Sequence, residues 1–306
     1  MQFILKRTGY KCSRAPDEEG HCYRDTSIVW DGSVFVILRL LMSGTIVPEN
    51  INYQARVIMS KTVLITGASR GIGAATALLA GKQGYNVCVN YLKNNNAAMK
   101  VVSTINDRGG KAIAYQADVS DEQEVIRLFQ KIDTDFGPIT ALVNNAGILE
   151  VQSRVDELTS ERLLRILSSN VISFFLCARE AVKRMSAKYG GKGGCIVNIS
   201  SAAAKTGSPH EYVDYAASKG AVDTLTLGLA KEVAGEGIRV NGVRPGFIYT
   251  DIHADGGEPD RVDRLKKSLP MQRGGYPEEV ARAVLWLLSD EASYSTGTFI
   301  DVTGGR

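Results

Sequence analysis

The sequence predicts a doubly wound α/β domain, a parallel seven-stranded sheet with helices on both faces. Three observations carry that prediction. From Met59 onward, short apolar and β-branched runs alternate with helical stretches. No linker, internal repeat or low-complexity tract breaks the alternation. The first strand runs through a glycine-rich turn directly into a helix-forming stretch. Strands connected by helices pair in parallel, and a parallel sheet needs cover on both faces.

Lys61-Thr-Val-Leu-Ile-Thr66 reads as a buried strand that stops at glycine. Gly67-Ala-Ser-Arg-Gly-Ile-Gly73 reads as a turn, and the Ala- and Leu-rich residues 74–83 as the helix that follows. Further strands read at 86–91, 111–116, 139–143, 194–199, 238–243 and 298–302, with helices over 120–135, 212–234 and 277–289. Ser120-Asp-Glu-Gln123 has capping-box spacing, and Pro277-Glu-Glu places a proline and two acids in a first turn.

A strand, a glycine turn and a helix in that order aim free amides and the positive end of a helix dipole at a phosphate. Gly67 to Gly73, Asp118-Val119, Asn144 to Gly147, Ser200-Ser201 and Pro245-Gly246 each fall just after a strand. They therefore line the sheet edge at which such folds bind ligands. Tyr215-Ala-Ala-Ser-Lys219 sets a phenol and an ammonium four residues apart, on one helix face. A free tyrosine titrates near a pKa of about 10, and a fixed positive charge nearby draws it toward neutrality.

In this order and at these separations, the motifs over about residues 59–306 resemble the single-domain branch of the short-chain dehydrogenase/reductases. The overall pattern is similar to 3-oxoacyl-carrier-protein reductases and glucose 1-dehydrogenases. The resemblance implies a Rossmann-type domain that exchanges a hydride between a nicotinamide cofactor and a carbonyl or secondary alcohol. Tyr215 would then supply the proton, while Lys219 lowers its pKa and holds the nicotinamide ribose. Ser201 would bond the substrate oxygen. Ser200 stays open, because Ser201 stands 14 residues before Tyr215, one more than in many relatives. Asn170 matches the family asparagine that links the lysine to a proton-relay water. Tyr212 is followed four residues on by Ala216 rather than lysine and does not fit the donor role.

The same resemblance assigns cofactor contacts to Gly67, Ser69, Arg70, Gly71, Ile72 and Gly73 in the turn, and to Asn90. It places Asp118 and Val119 near the adenine, and Asn145, Ala146 and Gly147 along the cofactor. Pro245, Gly246, Ile248 and Thr250 would lie by the nicotinamide, where Tyr215 and Lys219 also touch it. An acidic residue about 20 positions past the glycine turn would hold an unphosphorylated ribose. That place is Val89-Asn-Tyr-Leu-Lys93, and no Asp or Glu occurs between Glu49 and Asp107. Arg70 and Lys93 can neutralise a 2′-phosphate, so NADP(H) is expected over NAD(H). The alternative is a regulator that binds NADPH without turnover.

Residues 250–275 form a polar, glycine-bearing segment that corresponds to the substrate lid of relatives. The resemblance implies a small-molecule carbonyl or alcohol substrate, which the lid sequence does not name. Relatives assemble through helices near 160–188 and 212–234, so a homotetramer or homodimer is expected.

The chain has 306 residues, 44% hydrophobic and 23% charged, enough for a full core. A net charge of +3 gives no ground for a nucleic-acid partner or an acidic membrane surface. Cys12, Cys22, Cys88, Cys177 and Cys195 lack CxxC spacing and read as reduced thiols. With His21, His210 and His253 the only histidines, no metal site is expected; His210 reads as a loop residue near the substrate. Residues 1–58 fall outside the pattern, and Met59 reads as the initiator; the alternative is an organelle-targeting or membrane-associating arm. The run Val34–Met42 contains Arg39 and is about half the length needed to span a bilayer. No secretory signal is evident, so a cytoplasmic protein is expected.

Overall fold

The computed structural model describes residues 23–30, 34–41 and 61–306. Two compact units divide the chain, residues 1–60 and 61–306. In the first, strands Tyr23–Trp30 and Val34–Leu41 pair antiparallel, Tyr23 opposite Leu41. Cys12, Cys22 and Met59 lie outside the described residues.

The second unit contains one seven-stranded sheet: β1 Thr62–Ile65, β2 Asn86–Tyr91, β3 Lys111–Gln116, β4 Ala141–Asn144, β5 Gly194–Ile199, β6 Ile238–Pro245 and β7 Phe299–Val302. Their order is 3-2-1-4-5-6-7, and every neighbouring pair is parallel. The chain builds outward from β1 to β3, then returns to lay β4 on the other side of β1. That reversal is the switch point at which a crevice opens beyond the strand ends.

Seven main helices cover the sheet: α1 Gly71–Lys82, α2 Asn95–Asn106, α3 Glu122–Phe136, α4 Ser160–Leu167, α5 Ser173–Met185, α6 Val213–Val233 and α7 Pro277–Leu288. Alternation along the strands divides the core in two. Val63, Ile65, Val87, Val89 and Val143 pack with α1, α2 and α7. Leu64, Cys88, Leu142 and Ile196 pack on the opposite face with α3, α5 and α6. Strands buried on both sides explain the continuous apolar runs in the sequence.

The fold is the expected one, with three strands at the expected bounds and the other boundaries shifted by at most three residues. Helix α1 begins at Gly71 rather than 74, because Ala74 N–H already bonds Arg70 O at 3.1 Å. The α3 cap also differs. Asp121, not Ser120, is the N-cap and accepts from Glu124 N–H at 2.8 Å. The Ser120 hydroxyl instead donates to Asp118 at 2.6 Å, which moves the cap one residue along. At α7 the expectation is met: Pro277 opens the helix and Glu279 accepts from Tyr276 N–H at 2.9 Å.

Cys88, Cys177 and Cys195 are buried free thiols, and burial raises all three, Cys177 to about 12 and Cys195 to about 11. No described helix is long and apolar enough to cross a membrane. Among the described residues no His, Cys, Asp and Glu group is arranged to hold a metal ion.

Candidate active site

A cavity of about 670 Å³ opens beyond the carboxyl ends of the strands. Its floor is the glycine turn. Gly67 and Gly71 have φ of +61° and +55°, a backbone that other residues adopt only with strain. A Cβ on Gly67 would also meet Ala146 Cα at 3.0 Å. The turn is pinned from both sides. Asn90 accepts from Gly67 N–H at 3.2 Å and donates to Ala117 O at 3.0 Å. Asn145 donates to Thr66 O at 2.8 Å, and Thr66 Oγ1 accepts from Asn145 and Ala146 N–H, each at 2.9 Å. The first-turn amides of α1 have no preceding helical carbonyl, so the turn offers donors to an anion.

Of the turn residues named from sequence, Gly67, Ser69, Arg70, Gly71 and Ile72 reach the cavity wall. Gly73 does not. It is buried, and a Cβ there would lie 2.6 Å from both Asn145 Nδ2 and Gly67 O. Its role is to let α1 approach the strand ends. Asn90, Asp118, Val119, Asn145, Ala146 and Gly147 line the adjoining wall. Pro245, Gly246, Ile248 and Thr250 line the far end.

Tyr215, Lys219 and Ser201 meet on the wall beyond the turn. Helix α6 carries the first two, and β5 ends just before the serine pair. The pair divides its work. Ser200 is buried and donates to Lys219 O at 3.2 Å, a structural bond, whereas Ser201 is half-buried and accepts from Ala203 N–H at 3.1 Å. Ser201 also stands close enough to Tyr215 to favour its phenolate. Burial outweighs that help and pushes the Tyr215 phenol up to about 12.

The expected depression of Tyr215 by Lys219 is thus not what this structure shows. Lys219 Nζ lies 5.6 Å from the Tyr215 ring centroid and donates to Ile199 O at 2.9 Å. Burial brings the ammonium itself down to about 8, offset in part by Asp223. Desolvation dominates both groups, and it acts on each in the direction of its neutral form.

Asn170 lies behind the wall rather than on it. It is fully buried, accepts from Ile148 N–H at 2.8 Å and donates to Ile148 O at 3.0 Å. It also donates to Ser218 at 3.1 Å, and Ser218 in turn bonds Tyr215 O at 2.7 Å. A π-helical stretch, Ser168–Ile172, turns the amide inward. A Cβ on Gly147 would come within 3.2 Å of Asn170 Oδ1 and 3.7 Å of Lys219 Nζ, so that glycine keeps the space beside the lysine open.

Several contributors were not visible in the sequence. Asp214, with its side chain 1% exposed, pairs with Arg162 at 2.7 Å and accepts from Tyr215 N–H at 2.8 Å. This ties α4 to the first turn of α6, directly beneath the tyrosine. Tyr212 is buried and donates to Gly256 O at 3.3 Å, anchoring the segment over the cavity. Arg261, buried in the same segment, pairs with Glu211 and with Glu258 at 2.8 Å. His253 lines the cavity with Nε2 3.1 Å from Ile248 O, and burial lowers its pKa. His210 is absent from the wall and sits in a left-handed turn with φ of +66°.

The segment over the cavity, residues 250–275, contains the helical turns Ile252–Asp255 and Arg261–Leu265. Arg70 pairs with Asp255 across the cavity mouth.

Comparison with known proteins agrees with this architecture. The family model described as Enoyl-(Acyl carrier protein) reductase matches residues 67–306. The chain is 63% identical over 243 residues to an uncharacterized oxidoreductase, YgfF, of Escherichia coli K12, covering 79% of this chain and 98% of that protein. It is 41% identical over 249 residues to 3beta-hydroxysteroid dehydrogenase 1 of Eggerthella lenta, covering 81% and 94%. A crystal structure of a short-chain type dehydrogenase/reductase from Mycobacterium marinum superposes with a TM-score of 0.75 at 35% identity, over 80% of this chain and 95% of that one. The chain belongs to the short-chain dehydrogenase/reductase family of oxidoreductases, which act on CH–OH groups with NAD(P).

Proposed function

We propose that this protein is an NADP(H)-dependent oxidoreductase that interconverts a small-molecule carbonyl and its secondary alcohol. The observation that carries the reading is one cavity with a phosphate-cradling turn at one end and Tyr215, Ser201 and Lys219 at the other. The fit to a dinucleotide rests on the two left-handed glycines, the free first-turn amides and the space left by Gly147. Bound in this cavity, the cofactor supplies or accepts the hydride.

The protein's own groups manage the proton and the oxygen. In reduction, Tyr215 holds its proton at neutral pH and donates it to the carbonyl oxygen. Ser201 donates a hydrogen bond to the same oxygen as negative charge develops there. Lys219, in its charged form, would hold the cofactor ribose, while Ser201 is the group that favours the tyrosinate left behind. Asn170 fixes the Ile148 backbone and the Ser218 turn beside them. A regulator that only sensed NADPH would have no use for this wall.

Arg70 and Lys93 support the preference for NADP(H). Both line the cavity, and between them β2 ends in Asn90 and Tyr91 rather than a carboxylate. The same reading makes residues 59–306 sufficient for activity, in the cytoplasm, where buried thiols stay reduced. It also makes the protein a homodimer or homotetramer. The test is a screen of ketones, ketoacyl esters and sugars, following cofactor absorbance. We expect at least one substrate with a clearly higher kcat/KM for NADPH than for NADH. A clear preference for NADH would refute the cofactor assignment.

A further inference from the structure

Arg70 occupies the N-cap of α1, where its extended backbone makes no side-chain cap. Its guanidinium reaches across the cavity mouth instead. One nitrogen pairs closely with Asp255 Oδ2, a second lies 3.4 Å from Asp255 Oδ1, and Asp251 stands 4.0 Å away. Asp251 precedes the helical turn Ile252–Asp255 and Asp255 ends it, and they and Arg70 line the same cavity. A second contact seats the segment at the same place, since a Cβ on Gly71 would lie 3.3 Å from Thr250 Cγ2. The lid therefore rests on the glycine turn through a fork-to-fork carboxylate pair.

A guanidinium recognises a carboxylate and a phosphate with the same donors in the same plane. If Arg70 takes the 2′-phosphate of the cofactor, as proposed above and on which this inference rests, it must let go of Asp255. We infer that Asp255 is an internal competitor for Arg70: seating of the lid and binding of a 2′-phosphate are antagonistic, and Asp255 thereby sets how strongly the protein discriminates NADP(H) from NAD(H). The pair is half exposed, with side chains 51% and 45% accessible, so it is the weak kind of ion pair that a dianion displaces. Linkage makes the antagonism reciprocal: the phosphate loosens the lid by the amount the seated lid weakens the phosphate. An unphosphorylated cofactor leaves the pair intact.

The test is calorimetric titration of the full chain with NADP⁺ and NAD⁺, for the unsubstituted protein, Asp255→Asn, Arg70→Met and the double variant. Asp255→Asn is expected to tighten NADP⁺ by about three- to fivefold, the worth of an exposed pair, and to leave NAD⁺ within about twofold. Arg70→Met is expected to weaken NADP⁺ and to erase any effect of Asp255→Asn in the double variant. Deuterium uptake over residues 251–257 should be higher with saturating NADP⁺ than with saturating NAD⁺. Unchanged or weaker NADP⁺ binding in Asp255→Asn, with Arg70→Met still weakening it, overturns the competition while leaving the cofactor assignment standing. NADP⁺ affinity unaffected by Arg70→Met overturns the phosphate assignment itself, and the competition with it. Equal uptake with the two cofactors also overturns the coupling to the lid.

Discussion

Tyr215 is a stronger proton holder than its position beside an ammonium suggests. Burial takes the phenol up to about 12 and Lys219 down to about 8, with Ser201 and Asp223 opposing each shift. A donor that keeps its proton suits reduction, whereas alcohol oxidation needs the tyrosinate. The sign follows: the tyrosinate fraction grows with pH below the raised pKa, so oxidative kcat/KM should climb from about pH 6 toward 8, above which loss of the Lys219 charge opposes the rise. An oxidative optimum below pH 7 would contradict this account of Tyr215. Most residues that line the cavity were legible because they follow a strand end or keep a fixed helical spacing. Their ionisation was not, because desolvation belongs to the packed cavity and not to any spacing in the chain.

Among the elements, α6 matters most, since it delivers both Tyr215 and Lys219. Its first turn is held by Asp214, which pairs with Arg162 of α4 at 2.7 Å in a nearly dry site. Removing one partner of a buried pair strands the other charge, at about 3–5 kcal/mol. Asp214→Ala should therefore lower the unfolding free energy by about 3 kcal/mol in urea titration and reduce turnover, with Asp214→Asn recovering part of both. Wild-type stability in Asp214→Ala would show that the pair does not anchor the helix. The strands and α1, α3, α6 and α7 were readable from apolar runs, glycines, acids and prolines. The Asp214–Arg162 pair was not, because its partners are 52 positions apart and no local rule couples them. The same holds for Arg70 and Asp255, 185 positions apart. Local competition explains the shifted α3 cap, where Asp118 takes the Ser120 hydroxyl first.

At the scale of the whole molecule, the parallel sheet and the ligand edge followed from the β–α alternation, while the strand order came only with the structure and the proposed assembly rests on surface chemistry. Leu164, Leu167, Ile172 and Phe175 recur on one face of the α4–α5 stretch and remain exposed, Leu164 by 64% and Phe175 by 50%. A contiguous apolar face on a globular protein marks a contact surface. Replacing Leu164 and Phe175 together by Glu should lower the mass found by light scattering at micromolar protein, and an unchanged mass would rule out this face. Proton delivery by Tyr215 is the step on which the proposed NADPH-dependent reduction depends. The most direct test is stopped-flow oxidation of NADPH by Tyr215→Phe, alongside the NADPH Kd of the same variant. The account predicts a loss of turnover of at least about 100-fold, with Kd changed by less than about threefold; a variant that keeps more than about a tenth of the rate would contradict it.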